Sequence, residues 1–121
     1  MRRAGWLVVG AAALAWLPAR PAETAAGGKQ LFDRRCGGCH AFDRDKEGPR
    51  LGGVFGRAAG SVETFEYSDA LKKSGIRWNG ATLDQWLTDP GKLVPASDMN
   101  FRVTNPAERQ AIIAYLQHSG R

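Results

Sequence analysis

Cysteine and histidine are scarce in this chain, with two of each in 121 residues. A structural zinc site takes four ligands, and His118 lies far from the group Cys36, Cys39 and His40. A zinc centre is therefore excluded, and two cysteines cannot make a disulfide framework. There is no alternating strand pattern, no internal repeat and no low-complexity tract. The expected class is all-α with long loops. No basic stripe or RNA-binding motif marks a nucleic-acid binder.

What the chain does have is Cys36-Gly37-Gly38-Cys39-His40. This is C-x-x-C-H, the attachment signature of a c-type haem. Two thiols three residues apart share one face of a helical turn, so both reach the vinyl groups of one haem. His40 then comes up beneath the iron. The rival readings are weaker. A Cys36–Cys39 disulfide would close a tiny loop, and a thioredoxin-like pair needs a βαβ context that is missing.

The first residues read as an export signal, Met1-Arg2-Arg3 followed by the apolar run AGWLVVGAAALAWL and then small residues and prolines. The run has 14 residues, short of the roughly 20 that span a bilayer. Cleavage is preferred to an uncleaved anchor, with candidate sites after Ala19, Ala22 or Ala26. The division expected is 1–26, signal peptide and short linker, and 27–121, one domain. A cut after Ala22 removes Arg2, Arg3 and Arg20. That leaves 14 of the 17 basic residues against 12 acidic ones, a formal +2 rather than +5. The mature domain is small for a self-sufficient core, so a buried porphyrin is expected to complete it and the apoprotein to fold poorly.

Along the domain, residues 24–28 read as a linker and residues 28–36 as the first helix. Gly28 and Phe32 lie four apart, which suggests a close helix crossing. Residues 41–60 read as loop, because five of the nineteen residues 42–60 are glycine. Without a phosphate-loop context, such a run suits close approach to a flat cofactor. Tyr67 or Ser68 caps a short helix stopped by Gly75. Asn79 caps another over residues 80–88, which ends at Asp89-Pro90-Gly91. Residues 92–104 read as irregular. The last helix starts at Asn105, with Pro106 first and Glu108 three after the cap. Met99 is the only methionine once Met1 is removed, and polar or small neighbours make it a poor core residue. It is the preferred second iron ligand. The competing ligand is His118, whose place near the C-terminus suits helix capping.

Gly28 and Phe32, CGGCH, GPRLGGVFGR, FEYSDALKKSGIRW, TLDQWLTDPGKLVP, Met99 and AIIAYL follow one another in this order. In that order the chain resembles the class I cytochromes c of the mitochondrial and bacterial periplasmic type, over residues 28–116. The resemblance implies four or so short helices and long loops wrapped around one covalent haem c. It implies thioethers from Cys36 and Cys39 and axial ligation by His40 and Met99. Pro49 resembles the proline whose carbonyl accepts the His40 ring N–H. Arg57, Tyr67 and Trp78 resemble the donors around the haem propionates, and the two aromatics also suit a core. Gly28 and Phe32 would cross the last helix near Tyr115 and Leu116. The implied function is a periplasmic one-electron carrier, not an enzyme. It would act as a monomer between a donor and an acceptor redox protein, with no nucleic acid. A subunit of a dehydrogenase or oxidase complex is the alternative, with a haem peroxidase or gas-binding protein behind it. An uncleaved segment would instead anchor it to the inner membrane. Two residues depart from the family pattern. Leu71 stands where relatives carry an asparagine near a propionate, and Asp98 where lysine is common. Arg35, Lys46, Lys72, Lys73 and Lys92 could form a basic collar.

Overall fold

The computed structural model describes residues 4–13, 15–17 and 21–119. Among them the elements are α1 (Pro21–Arg35), α2 (Asp69–Lys72), α3 (Gly80–Thr88), α4 (Pro90–Leu93) and α5 (Pro106–Ser119), with no strand. Residues 4–13 and 15–17 are non-helical and exposed, Trp6 and Trp16 by 92% and 96%. Among the described residues no helix is long and apolar enough to cross a membrane. Arg2, Arg3 and the candidate cleavage site at Ala19 lie outside the described residues.

The stretch read as a linker, 24–28, is helical, and α1 begins at Pro21 rather than near Gly28. Proline is tolerated at a first helical position, and Ala22, Ala25 and Ala26 are the best helix formers. The boundary expected at residues 26 and 27 thus falls inside α1. The crossing with α5 is as expected. A Cβ at Gly28 would run into the Ala111 carbonyl oxygen and the Tyr115 Cβ. One turn on, Phe32 stacks on Phe42, with centroids 4.9 Å apart and planes within 8°, and both rings meet Tyr115. Ile112, Ile113 and Leu116 complete the buried face of α5.

Caps set the shorter helices. Ser68, not Tyr67, caps α2 by accepting from the Leu71 N–H at 3.2 Å. Asn79 and Thr82 exchange side-chain bonds with each other's N–H groups at 3.0 and 2.9 Å, a reciprocal cap for α3. Asp89 ends α3 and at once caps α4 through the Lys92 N–H. Residues 90–93 are therefore helical, which differs from the irregular chain expected from residue 92. Proline at the first position explains the restart. Asn105 caps α5. Glu108 does not complete a capping box, since its carboxylate meets Arg35 at 3.0 Å and so ties α5 to α1.

Residues 41–60 carry no helix, as their glycines predict. Ala58 and Arg77 form one isolated antiparallel bridge. Flanking bonds reinforce it, Trp78 N–H to the Arg57 carbonyl at 2.9 Å and Ala59 N–H to the Ile76 carbonyl at 2.8 Å. This clip brings Arg57 and Trp78 to the same wall of the interior.

Candidate functional site

The C-x-x-C-H motif continues from α1 as a turn. The Cys36 N–H bonds to the Phe32 carbonyl at 2.7 Å, and the His40 N–H to the Cys36 carbonyl at 2.9 Å. Both thiols are free, Cys36 partly buried and Cys39 exposed. Burial, with a smaller push from Cys39, raises the Cys36 pKa to about 11. The Cys39 thiol lies 3.5 Å from a Glu47 carboxylate oxygen.

His40 Nδ1–H donates to the Pro49 carbonyl at 2.8 Å. That bond assigns the proton to Nδ1 and leaves the Nε2 lone pair free for a metal. Burial lowers the His40 pKa, the Pro49 bond opposes this, and Lys46 lowers it further. The ring is therefore neutral at pH 7, the form that ligates. Gly48 lies against the ring, where a Cβ would strike Cε1, Nδ1 and Nε2.

Beside the motif lies a cavity of about 330 Å³. Its walls are mostly apolar and include Leu51, Val54, Leu71, Leu83, Leu87 and Ile112. All eight residues singled out in the sequence line it: Cys36, Cys39, His40, Pro49, Arg57, Tyr67, Trp78 and Met99. His118 does not, and is exposed in the last turn of α5. Arg57 donates to the Gly52 and Arg50 carbonyls, each at 3.0 Å, and burial lowers its pKa. The Tyr67 oxygen accepts the Val62 N–H at 3.2 Å. Burial raises its pKa, so the phenol keeps a proton to donate.

Sequence reasoning missed Ser97, whose hydroxyl is buried and has no partner among the described residues; Ser97 itself does not line the cavity. Among the described residues no cluster of three or more His, Cys, Asp or Glu could hold a metal ion. The donor set and the apolar walls instead fit a haem. Two thiols are available to tether it, a neutral imidazole and a thioether border the same space, and Arg57, Tyr67 and Trp78 offer N–H or O–H donors.

A family model described as Cytochrome c matches residues 25–120. The chain belongs to the cytochrome c family. It is 44% identical over 96 residues to a cytochrome c of Gibberella zeae, covering 76% of this chain and 91% of that protein. With a cytochrome c2 iso-2 of Magnetospirillum fulvum it shares 42% over 85 residues, 68% of this chain and 88% of the relative. Among solved structures it is similar to cytochrome cH from Methylobacterium extorquens, with a TM-score of 0.73 and 44% identity over 77% of this chain and 96% of that one. The fold is that of the class I cytochromes c. This cytochrome carries one covalent haem c through Cys36 and Cys39, and it is a monohaem electron carrier that acts with redox partners.

Proposed function

We propose that His40 and Met99 would ligate the haem iron, and that the protein is a periplasmic one-electron carrier with no catalytic activity of its own. The observation that carries this reading is the His40 Nδ1–H bond to the Pro49 carbonyl at 2.8 Å, with Met99 bordering the same cavity. The bound haem supplies the one-electron chemistry, and Met/His ligation raises its potential. The chain's residues do the rest. Pro49 orients the imidazole, the apolar walls exclude water, and Arg57, Tyr67 and Trp78 hold the propionates. With His40 and Met99 both bound to it, the iron would have no place left for a substrate.

Residues 1–26 comprise an export signal and a short linker, and cleavage within them leaves a soluble monomer that meets a donor and an acceptor redox protein in the periplasm. Absorption spectra of the exported protein, oxidised and reduced, test the ligands. The oxidised wild type should show the weak far-red band of methionine bound to ferric haem. Met99→Ala should lose the band, show a lower potential and bind cyanide or carbon monoxide, while His118→Ala should keep all wild-type properties. Loss of a ligand in His118→Ala, with the band intact in Met99→Ala, would overturn the assignment in favour of two histidines.

A further inference from the structure

Residues 94–103 form an arm that carries Met99 and is tied at both ends. Val94 and Val103 are buried. The Val94 N–H bonds to the Pro90 carbonyl at 2.9 Å, and the Val103 N–H to the Leu87 carbonyl at 2.8 Å. The Arg109 guanidinium, fixed by Asp84 at 2.8 Å, donates to the Val103 carbonyl at 3.0 Å. Between these anchors, no backbone–backbone hydrogen bond involves residues 98–102 among the described residues. The arm leaves its first anchor through the turn Val94-Pro95-Ala96-Ser97, closed by the Ser97 N–H on the Val94 carbonyl at 3.2 Å. Proline suits the second position of a type II turn, and the third needs a positive φ and so favours glycine. Here the third is alanine. Ala96 is the one non-glycine residue with a positive φ among the described residues, at 67°. In that conformation the Cβ crowds the following carbonyl oxygen. The residue is exposed, so packing does not offset the strain.

We propose that Ala96 is a positioning residue for Met99, and that its strained turn sets how readily an outside ligand displaces the thioether. The proposal rests on the reading of Met99 as an iron ligand. While Met99 borders the cavity, the arm must leave Val94 by this turn, and Ala96 stays at positive φ. When Met99 swings out, residues 98–102 have no backbone bonds to break, and Ala96 returns to negative φ with them. The strain therefore counts against the bound arm alone. Glycine at residue 96 would remove it. Glycine would also give the released arm more freedom, which acts the other way but is the smaller effect where φ is positive. Asparagine tolerates positive φ without that added freedom, and so separates the two effects.

The test titrates the oxidised, haem-loaded protein with imidazole and follows loss of the far-red methionine band. The imidazole nitrogen takes the coordination position that the Met99 sulfur leaves, and no electron is transferred. Ala96→Gly should weaken imidazole binding about fivefold, the size expected of such strain. Ala96→Asn should weaken it in the same direction. Ala96→Val, with a branched Cβ in the same conformation, should strengthen it. Melting temperatures give the second readout, and the glycine and asparagine variants should melt higher than wild type. If both melt higher yet bind imidazole as wild type does, the turn is strained in the bound and released arm alike, and the proposal is overturned. Tighter binding in both would overturn it as well. Should Ala96→Val fail to fold, the other two variants still decide. Met99→Ala guards the underlying reading, because it should bind imidazole more tightly than any variant at residue 96. A wild type without the far-red band, or Met99→Ala that binds imidazole only as wild type does, would sink the ligand assignment itself. That failure is read without any change at Ala96, so the two are told apart.

Discussion

His40 is held from two sides, by a hydrogen bond to Pro49 and by the bare face of Gly48. Residue 48 has no space for a side chain, because the nearest atoms belong to the imidazole ring itself. Gly48→Ala should therefore displace the ring or the loop, at a cost of about 1–3 kcal/mol for overpacking. Since the displaced ring is an iron ligand in the proposed coordination, the potential and the absorption spectrum should change along with the melting temperature. A lower melting temperature with an unchanged spectrum would show that the loop yields and the ring does not. At this scale the sequence was most legible. The C-x-x-C-H spacing and the lone Met99 are chemical signatures that depend on residue type alone, and all eight nominated residues border one cavity. The unpartnered hydroxyl of Ser97 was not legible, because only burial reveals it.

Among the elements, the α1–α5 crossing is the least tolerant of change. At Gly28 a methyl group would meet a backbone carbonyl and a Cβ, neither of which can swing aside as a flexible side-chain end would. Alanine gains about 1 kcal/mol of helix propensity over glycine, but overpacking of about 1–3 kcal/mol outweighs it. Gly28→Ala should lower the melting temperature by several degrees, since about 1 kcal/mol shifts a domain of this size by about 4–8 °C. Unchanged melting would mean that the helices part without loss. The loops have a latch of their own. Thr64 donates to one oxygen of Asp45 at 2.6 Å and the Arg50 N–H to the other at 2.9 Å. These bonds, the Thr64 hydroxyl foremost, hold the Asp45 pKa below its usual 3.8. A depressed folded value means stability that is complete above 3.8 and fades as pH falls through that value and then through the folded one. The stability gap between wild type and Asp45→Asn, read by denaturant titration, should therefore be larger at pH 6 than at pH 3. An equal gap at both would show that the carboxylate's charge contributes nothing. Caps at Ser68, Asn79 and Asn105 were readable because a polar side chain at a helix start acts locally. The Ala58–Arg77 clip, the restart of helix at Pro90 and the capture of Glu108 by Arg35 depend on residues far apart in sequence or on a choice between partners. Local pattern could not supply them.

For the molecule as a whole, the cavity lies where a core would otherwise be. Trp78, Leu83, Trp86, Leu87, Ile112 and Leu116 are buried side chains that also face it. The space of about 330 Å³ is lined mostly by apolar side chains and opens to solvent. Without the cofactor those side chains lose their packing partner, at about 1.5–3 kcal/mol for each large one left in water, against about 5–15 kcal/mol for the whole stability of a typical domain. Folding is therefore expected to be tied to attachment. The thioethers make that tie permanent. Cys36→Ser or Cys39→Ser should sharply reduce haem-staining protein in the periplasm, and the double variant should abolish it. The unattached chain, purified without haem, should lose most of its far-ultraviolet helical signal and its cooperative melting. Helices α1 and α5 should be the last to go, because the Gly28 crossing and the Phe32, Phe42 and Tyr115 aromatic cluster join them largely outside the cavity wall. Hydrogen exchange on the haem-free chain would show this as residual protection confined to those two helices. A haem-free chain that melts cooperatively with full helical content would mean that the walls collapse into a core without help. The cofactor would then be cargo rather than part of the fold.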